Sequence, residues 1–136
     1  VRNSGAVAVV EGVGDHACEY MTGGEVYIFG PVGKNLGAGM SGGLAYILVE
    51  NKNMEHQINH DMVFIEKVNS KDIKKIENSL SEHYSLTKSR KAERILDNFK
   101  NFTSKFIKVV PKEIFNLLES KGISIDDFDF VNPKLN

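Results

Sequence analysis

Three strand-like apolar segments, Ala6-Val-Ala-Val-Val10, Glu25-Val-Tyr-Ile-Phe29 and Leu44-Ala-Tyr-Ile-Leu48, begin nineteen residues apart, each led in by glycine. A shift of nineteen also lays Gly5 on Gly24 and Gly43, Gly14 on Gly33, Val9 on Ile28 and Ile47, and Met21-Thr-Gly-Gly24 on Met40-Ser-Gly-Gly43. A unit this short cannot bury its apolar side alone, so it must stack on its neighbours and share a core with them. Nineteen residues hold two or three short strands joined by tight bends, and glycine suits such bends because it reaches positive φ without a Cβ clash. The repeat therefore predicts a mainly β fold, a right-handed single-stranded β-helix of stacked coils, with Gly5, Gly14, Gly24, Gly33 and Gly43 as structural coil glycines. A sandwich or barrel of short strands is the competing arrangement, but it needs no residue-by-residue identity at one fixed offset.

The chain has two regimes. Eleven of its twelve glycines fall within residues 1–43, and only Gly122 lies downstream. Residues 1–69 read as the coils, with Asp61 to Val68 a further strand. Residues 70–122 read as an α-helical extension with one short strand, and residues 123–136 as a loosely held tail. In the extension, Ser70 is positioned as a helix N-cap ahead of Ile73, Ile76, Leu80 and Tyr84, which share one face. Thr87 is positioned to cap a second helix whose stripe is Ala92, Ile95, Leu96 and Phe99. The strand Phe106 to Val110 follows, then Pro111 in the first turn of a third helix bearing Ile114, Phe115, Leu117 and Leu118, with Gly122 as its stop. The repeat is already under way at Asn3, with no atypical capping unit before it, so the chain reads as a C-terminal piece of something longer.

Charge and cysteine content exclude several functions. The net charge is −1, and residues 1–50 carry two basic and five acidic side chains. Neither half offers the clustered basic face that a nucleic-acid partner requires. A single cysteine, Cys18, precludes an internal disulfide and fits a reducing compartment. No apolar run approaches a membrane span.

Two glycine clusters invite a cofactor reading. Gly12-Val-Gly-Asp-His-Ala17 fits G-x-G-x-x-A, and Gly37-Ala-Gly-Met-Ser-Gly42 fits G-x-G-x-x-G. A dinucleotide site also needs a helix opening inside the motif, to place its N-terminus on the pyrophosphate. Here the second cluster runs straight into Leu44 to Leu48, and both belong to the repeat, so they are read as coil corners. Other constellations are thin. His16 with Cys18, and His56 and His60 beside Asp61, lack further ligands at metal-site spacing. Asp15, His16, Cys18 and Glu19 sit at a bend, where Asp serves as a turn former, and Asp15, Lys34 and Asn53 fall in register as stacked bend residues. Catalytic, cofactor-binding and metal residues are each read as none. Tyr20, Tyr27 and Tyr46 are left open between core and interface.

The runs Val1 to Ala6, Glu11 to His16, Cys18 to Gly24, Gly33 to Gly43 and Ala45-Tyr46 closely resemble the C-terminal domain of the glutamate synthase large subunit. Asn59 to Val63, Ala92 to Asn98 and Phe106 to Pro111 extend the resemblance over roughly residues 1–120. It implies a cytoplasmic or plastid-stroma flavoenzyme that makes two glutamates from glutamine and 2-oxoglutarate. That parent uses FMN and an iron–sulfur cluster, with NAD(P)H or ferredoxin as donor. The implied partners are the amidotransferase and FMN-binding synthase domains of the same chain and a small electron-transfer subunit, with no nucleic acid and no membrane. The matching segment braces the catalytic domains and binds no cofactor itself. Two other readings stand beside it: a free-standing β-helix subunit similar to one in formylmethanofuran dehydrogenase, and an independent dinucleotide-binding protein.

Overall fold

A computed structural model describes residues 4–12, 18, 21–50 and 56–131. The repeated segments form β1 (Ser4–Val10), β2 (Thr22–Ile28) and β3 (Gly42–Leu48). Downstream come β4 (Val63–Lys67), α1 (Ser70–Thr87), α2 (Arg90–Asp97), the short α3 (Phe99–Phe102), β5 (Phe106–Pro111) and α4 (Lys112–Ser120). All five strands belong to one sheet in the order β1-β2-β3-β5-β4. β1, β2 and β3 pair in parallel, as successive turns of one repeat must, whereas β5 is antiparallel to both of its neighbours.

This corrects the expectation of a mainly β chain, since among the described residues those in helices outnumber those in strands. What is observed is a five-stranded mixed sheet with helices on one face, and the sheet is not closed. Sequence patterning missed the insertion of β5 between β3 and β4, because the repeat specifies only how like segments stack. Where a non-repeating strand docks depends on which sheet edge is left unpaired.

The register differs in part from the nineteen-residue alignment. From Glu25 onward β2 lies on β3 at that offset, placing Tyr27 beside Tyr46 and Ile28 beside Ile47. An irregularity between Ser4 and Val7 moves the rest of β1 by one residue, so Val9 pairs with Tyr27 and Val10 with Ile28. Strand side chains alternate between faces, so a one-residue slip changes the face of every one that follows. Val10, and not Val9, joins the Ile28 and Ile47 row, while Val9 packs with the tyrosines.

Two cores result, one on each face. On the first, Val26, Ile28, Ala45, Ile47 and Val109 are covered by residues of the connecting loops, among them Cys18, Met21, Leu36, Met40 and Ile58. Those loops stack as well: Leu36 N–H donates to Gln57 O at 2.9 Å, and Asn59 N–H to Leu36 O at 2.8 Å. On the second face, Tyr27, Phe29, Tyr46, Leu48, Phe106 and Val110 pack under Ile76 and Leu80 of α1 and Ala92 and Ile95 of α2. Fully burying side chains of this size stabilises by roughly 1.5–3 kcal/mol each, as an upper estimate.

The helix boundaries shift slightly from those read in the sequence. Asn69, not Ser70, caps α1. Its Oδ1 accepts from Asp72 N–H at 2.9 Å, while Asp72 Oδ2 accepts from Asn69 N–H at 3.0 Å, a reciprocal capping box. Ser89, not Thr87, caps α2, its Oγ accepting from Ala92 N–H at 3.2 Å, while Thr87 closes α1. Pro111 ends β5 immediately before α4. α4 is closed at Gly122: its N–H donates to Glu119 O at 3.1 Å, and its φ of +69° turns the chain so that Ile123 N–H reaches Leu118 O at 2.9 Å. The segment after Gly122, expected to be loosely held, packs through Phe130, which is 2% exposed.

Candidate functional site

The most chemically distinctive region is a polar cluster between the sheet and α1. β5 alternates Phe106, Lys108 and Val110 toward the helices, which carries one lysine into an otherwise apolar row. That lysine is 4% exposed, opposite Tyr46 of β3 and Glu66 of β4. A buried ammonium requires a partner, and the α1 capping box supplies it. Lys108 Nζ donates to Asp72 Oδ2 at 2.8 Å, and Tyr46 OH donates to Asp72 Oδ1 at 2.5 Å. The carboxylate that completes the cap thus also neutralises the sheet lysine.

A second carboxylate lies beside it. Tyr27 OH donates to Glu25 Oε1 at 3.0 Å, and Lys75 of α1 pairs with Glu25 Oε2. The Tyr27 and Tyr46 rings stack at 5.1 Å between centroids, and Lys75 Nζ lies 5.5 Å from the centre of the Tyr46 ring. On the outer side, Asn69 Nδ2 donates to Asp126 Oδ1 at 2.7 Å, and the same oxygen lies 3.7 Å from Lys108 Nζ. A cleft of about 370 Å³ opens here, walled by α1 on one side and by Ile125 to Phe130 on the other.

Electrostatics move the carboxyl and the two phenols of this cluster in opposite directions. Burial opposes ionisation of Asp72, but hydrogen bonds from Lys108, Tyr46 and Asn69 outweigh it and hold the carboxyl below its usual range. Burial, reinforced by the adjacent carboxylates, pushes the Tyr27 and Tyr46 phenols well above their ordinary value. Both therefore stay neutral donors near pH 7. Among the described residues no buried side-chain nitrogen or oxygen lacks a hydrogen-bond partner, so the polar groups of the cluster are engaged with one another.

The residues singled out in the sequence are dispersed. Gly24 and Gly43 adopt φ of +84° and +85°, at the entries to the second and third repeated segments. Gly5 lies in β1 and Gly33 in the loop between β2 and β3, while Gly14 lies outside the described residues. So do Asp15, His16, Glu19, Tyr20 and Asn53. Gly37 and Gly39 have positive φ and lead into β3, with no helix between. Cys18 is buried, and desolvation pushes its thiol up to about 11. Lys34 is exposed, as are His56, His60 and Asp61 ahead of β4. Among the described residues no group of three or more His, Cys, Asp or Glu side chains could hold a metal ion, and no helix is long and apolar enough to cross a membrane. Tyr27 and Tyr46 are core residues, each 1% exposed. The Glu25, Asp72 and Lys108 cluster was missed from the sequence; the available signal was a lysine at the centre of an apolar strand.

Comparison with known proteins turns on the glycine-rich repeat. A family model described as the GXGXG motif matches residues 1–112. The chain belongs to the GXGXG motif family. Over 122 residues it is 48% identical to the glutamate synthase [NADPH] large chain of Bacillus subtilis, covering 88% of this chain and 8% of that protein. It is also 48% identical over 123 residues to glutamate synthase [NADH] of Schizosaccharomyces pombe, covering 90% of this chain and 6% of that protein. To the chloroplastic ferredoxin-dependent glutamate synthase of Spinacia oleracea it is 41% identical over 135 residues, covering 92% and 8%. A GXGXG chain of this length thus spans less than a tenth of the curated relatives it matches.

Proposed function

We propose that this chain serves as a structural segment of a glutamate synthase large chain, the enzyme that converts L-glutamine, 2-oxoglutarate and reductant into two L-glutamates. The observation that carries this reading is 48% identity over 88% of the chain to a segment making up 8% of such a protein. The segment braces the amidotransferase and FMN-binding synthase domains of the same polypeptide in the cytoplasm or plastid stroma. Its three parallel strands and stacked loops act as successive coils of a right-handed β-helix, with Gly24, Gly33 and Gly43 as structural coil glycines.

The residues present do not fit the cofactors of such an enzyme. An iron–sulfur cluster requires several thiolates, and the one cysteine is buried with a strongly protonated thiol. The Gly37 and Gly39 turn delivers a strand where a flavin or nucleotide phosphate would need a helix N-terminus. Electron donor, flavin and cluster are accordingly assigned to other parts of the parent, and this segment acts by packing.

A chimera tests the proposal. In the Bacillus subtilis large chain, the matching segment is replaced by this sequence, and glutamine-dependent glutamate formation and FMN content are measured. Retained activity is expected, together with joint loss of activity and flavin when Gly43→Val is introduced. Full activity after deletion of the whole segment, or stoichiometric FMN binding by the isolated 136-residue chain, would overturn it.

A further inference from the structure

Beyond α4 the chain turns at Gly122 and runs back across the helix-covered face as far as the entry to β2. Ile125, Phe128 and Phe130 pack against the helix-covered core. A short helical turn, Ile125–Asp127, is capped by Ser124 and places Asp126 on Asn69 and near Lys108. Phe130 enters the core at 2% exposure, with the Phe128 ring edge-on at 4.8 Å. Phe130 O accepts from Gly24 N–H at 2.8 Å. Gly24 has a positive φ and lies where the β2 register is irregular, and its amide bonds to this segment.

Beneath this segment lies the Lys108–Asp72 pair, whose side chains are only 5% and 6% exposed. Closure buries Phe130, which is favourable, but it also keeps water from two charges whose desolvation is unfavourable. Ser124, Asp126, Asp127 and Asp129 face solvent and add little apolar anchoring. Opening gives up the packing of Phe130, Phe128 and Ile125 and the bonds made by Asp126 and Phe130 O, gains hydration of an ion pair, and disturbs no strand pairing. Segments held by few apolar contacts are those that open below the global unfolding threshold.

We infer that residues 123–131 form a strap that opens as a unit while the sheet remains folded, and that its opening uncovers Tyr46, Asp72 and Lys108. The inference is independent of the proposed role in glutamate synthase, and the strap lies beyond residues 1–112, which the GXGXG family model matches.

Amide hydrogen exchange of the full chain, followed residue by residue by NMR, reads strap opening at Gly24 and global unfolding at β3 and β5. Gly24 exchanges at least about tenfold faster than those strands and with little dependence on low urea, because a local opening exposes little surface. Phe130→Ala accelerates Gly24 roughly 100-fold while leaving β3 and β5 unchanged, since truncation of a buried Phe removes the anchor. Acetylation of Lys108, read by mass spectrometry, accelerates in the same variant. If wild-type Gly24 shares the rate and urea dependence of β3 and β5, the strap belongs to the global fold and the inference fails. It fails equally if Phe130→Ala leaves Gly24 unmoved. The wild-type comparison stands by itself should that variant not fold, and Phe130→Leu, which keeps an apolar anchor, then provides the graded acceleration.

Discussion

Lys108 Nζ and Asp72 Oδ2 lie 2.8 Å apart, joining the central strand of the second half of the sheet to the first turn of α1, with both side chains at least nine-tenths buried. The pair unites two constraints that the sequence presents separately, a helix cap and a strand lysine. Removing one member leaves the other charged and largely buried. Lys108→Met should therefore destabilise the chain by about 3–5 kcal/mol, the usual penalty for an uncompensated buried charge. Urea unfolding measures it, and a loss under about 1 kcal/mol would show that Asp72 finds another partner or water.

The same carboxylate sets an acid limit. The pKa of Asp72 is lowered in the folded state, so its contribution is fully present above the unfolded carboxyl value of roughly 4 and is lost as pH falls through the lower folded value. Stability from urea unfolding should decline steeply below about pH 4. The decline should be shallower in Asp72→Asn, which has no proton to gain; equal slopes in the two proteins would assign the acid limit elsewhere.

At Gly43 both space and backbone forbid a side chain. A Cβ built there meets Met21 Cε at 2.5 Å and Gly23 O at 3.0 Å, and φ is +85°. Gly43→Ala should cost at least about 1–3 kcal/mol, because the flexible methionine can move aside but the carbonyl and the positive φ remain. An unchanged melting temperature would show that the backbone relaxes out of this conformation.

Cys18 offers a probe of the loop-covered core. With its thiol buried and pushed up to about 11, it should react with a disulfide reagent at pH 8 far more slowly than it does in denaturant, since the thiolate is the nucleophile. Rapid native labelling would indicate that the loops over β2 and β3 open readily.

Much of the architecture is written in local pattern. Gly24, Gly43 and the Val-Tyr-Ile and Ala-Tyr-Ile rows announce parallel stacking, and β2 meets β3 at the repeat offset. The apolar faces of α1 and α2 appear where Ile76, Leu80, Ala92 and Ile95 place them. Their caps fall one or two residues away, because Asn69 and Ser70, like Thr87 and Ser89, are neighbouring candidates that sequence alone ranks poorly. The single-residue slip at the start of β1 was likewise hidden, since Ala6-Val-Ala-Val-Val10 is apolar at every position and suits either face.

The polar cluster was illegible for another reason. Glu25, Asp72, Lys108 and Asp126 come from four separate stretches of the chain, and each looks like an ordinary surface charge in its own neighbourhood. Only their convergence makes them partners. The sequence by itself determined the stacked parallel strands, because a short apolar repeat can be buried only against copies of itself. The tertiary structure decided that β5 enters between β3 and β4, that Lys108 turns inward to Asp72, and that Phe130 closes over them. Those outcomes depend on pairing an open strand edge and neutralising a buried charge, requirements that arise only when distant segments meet.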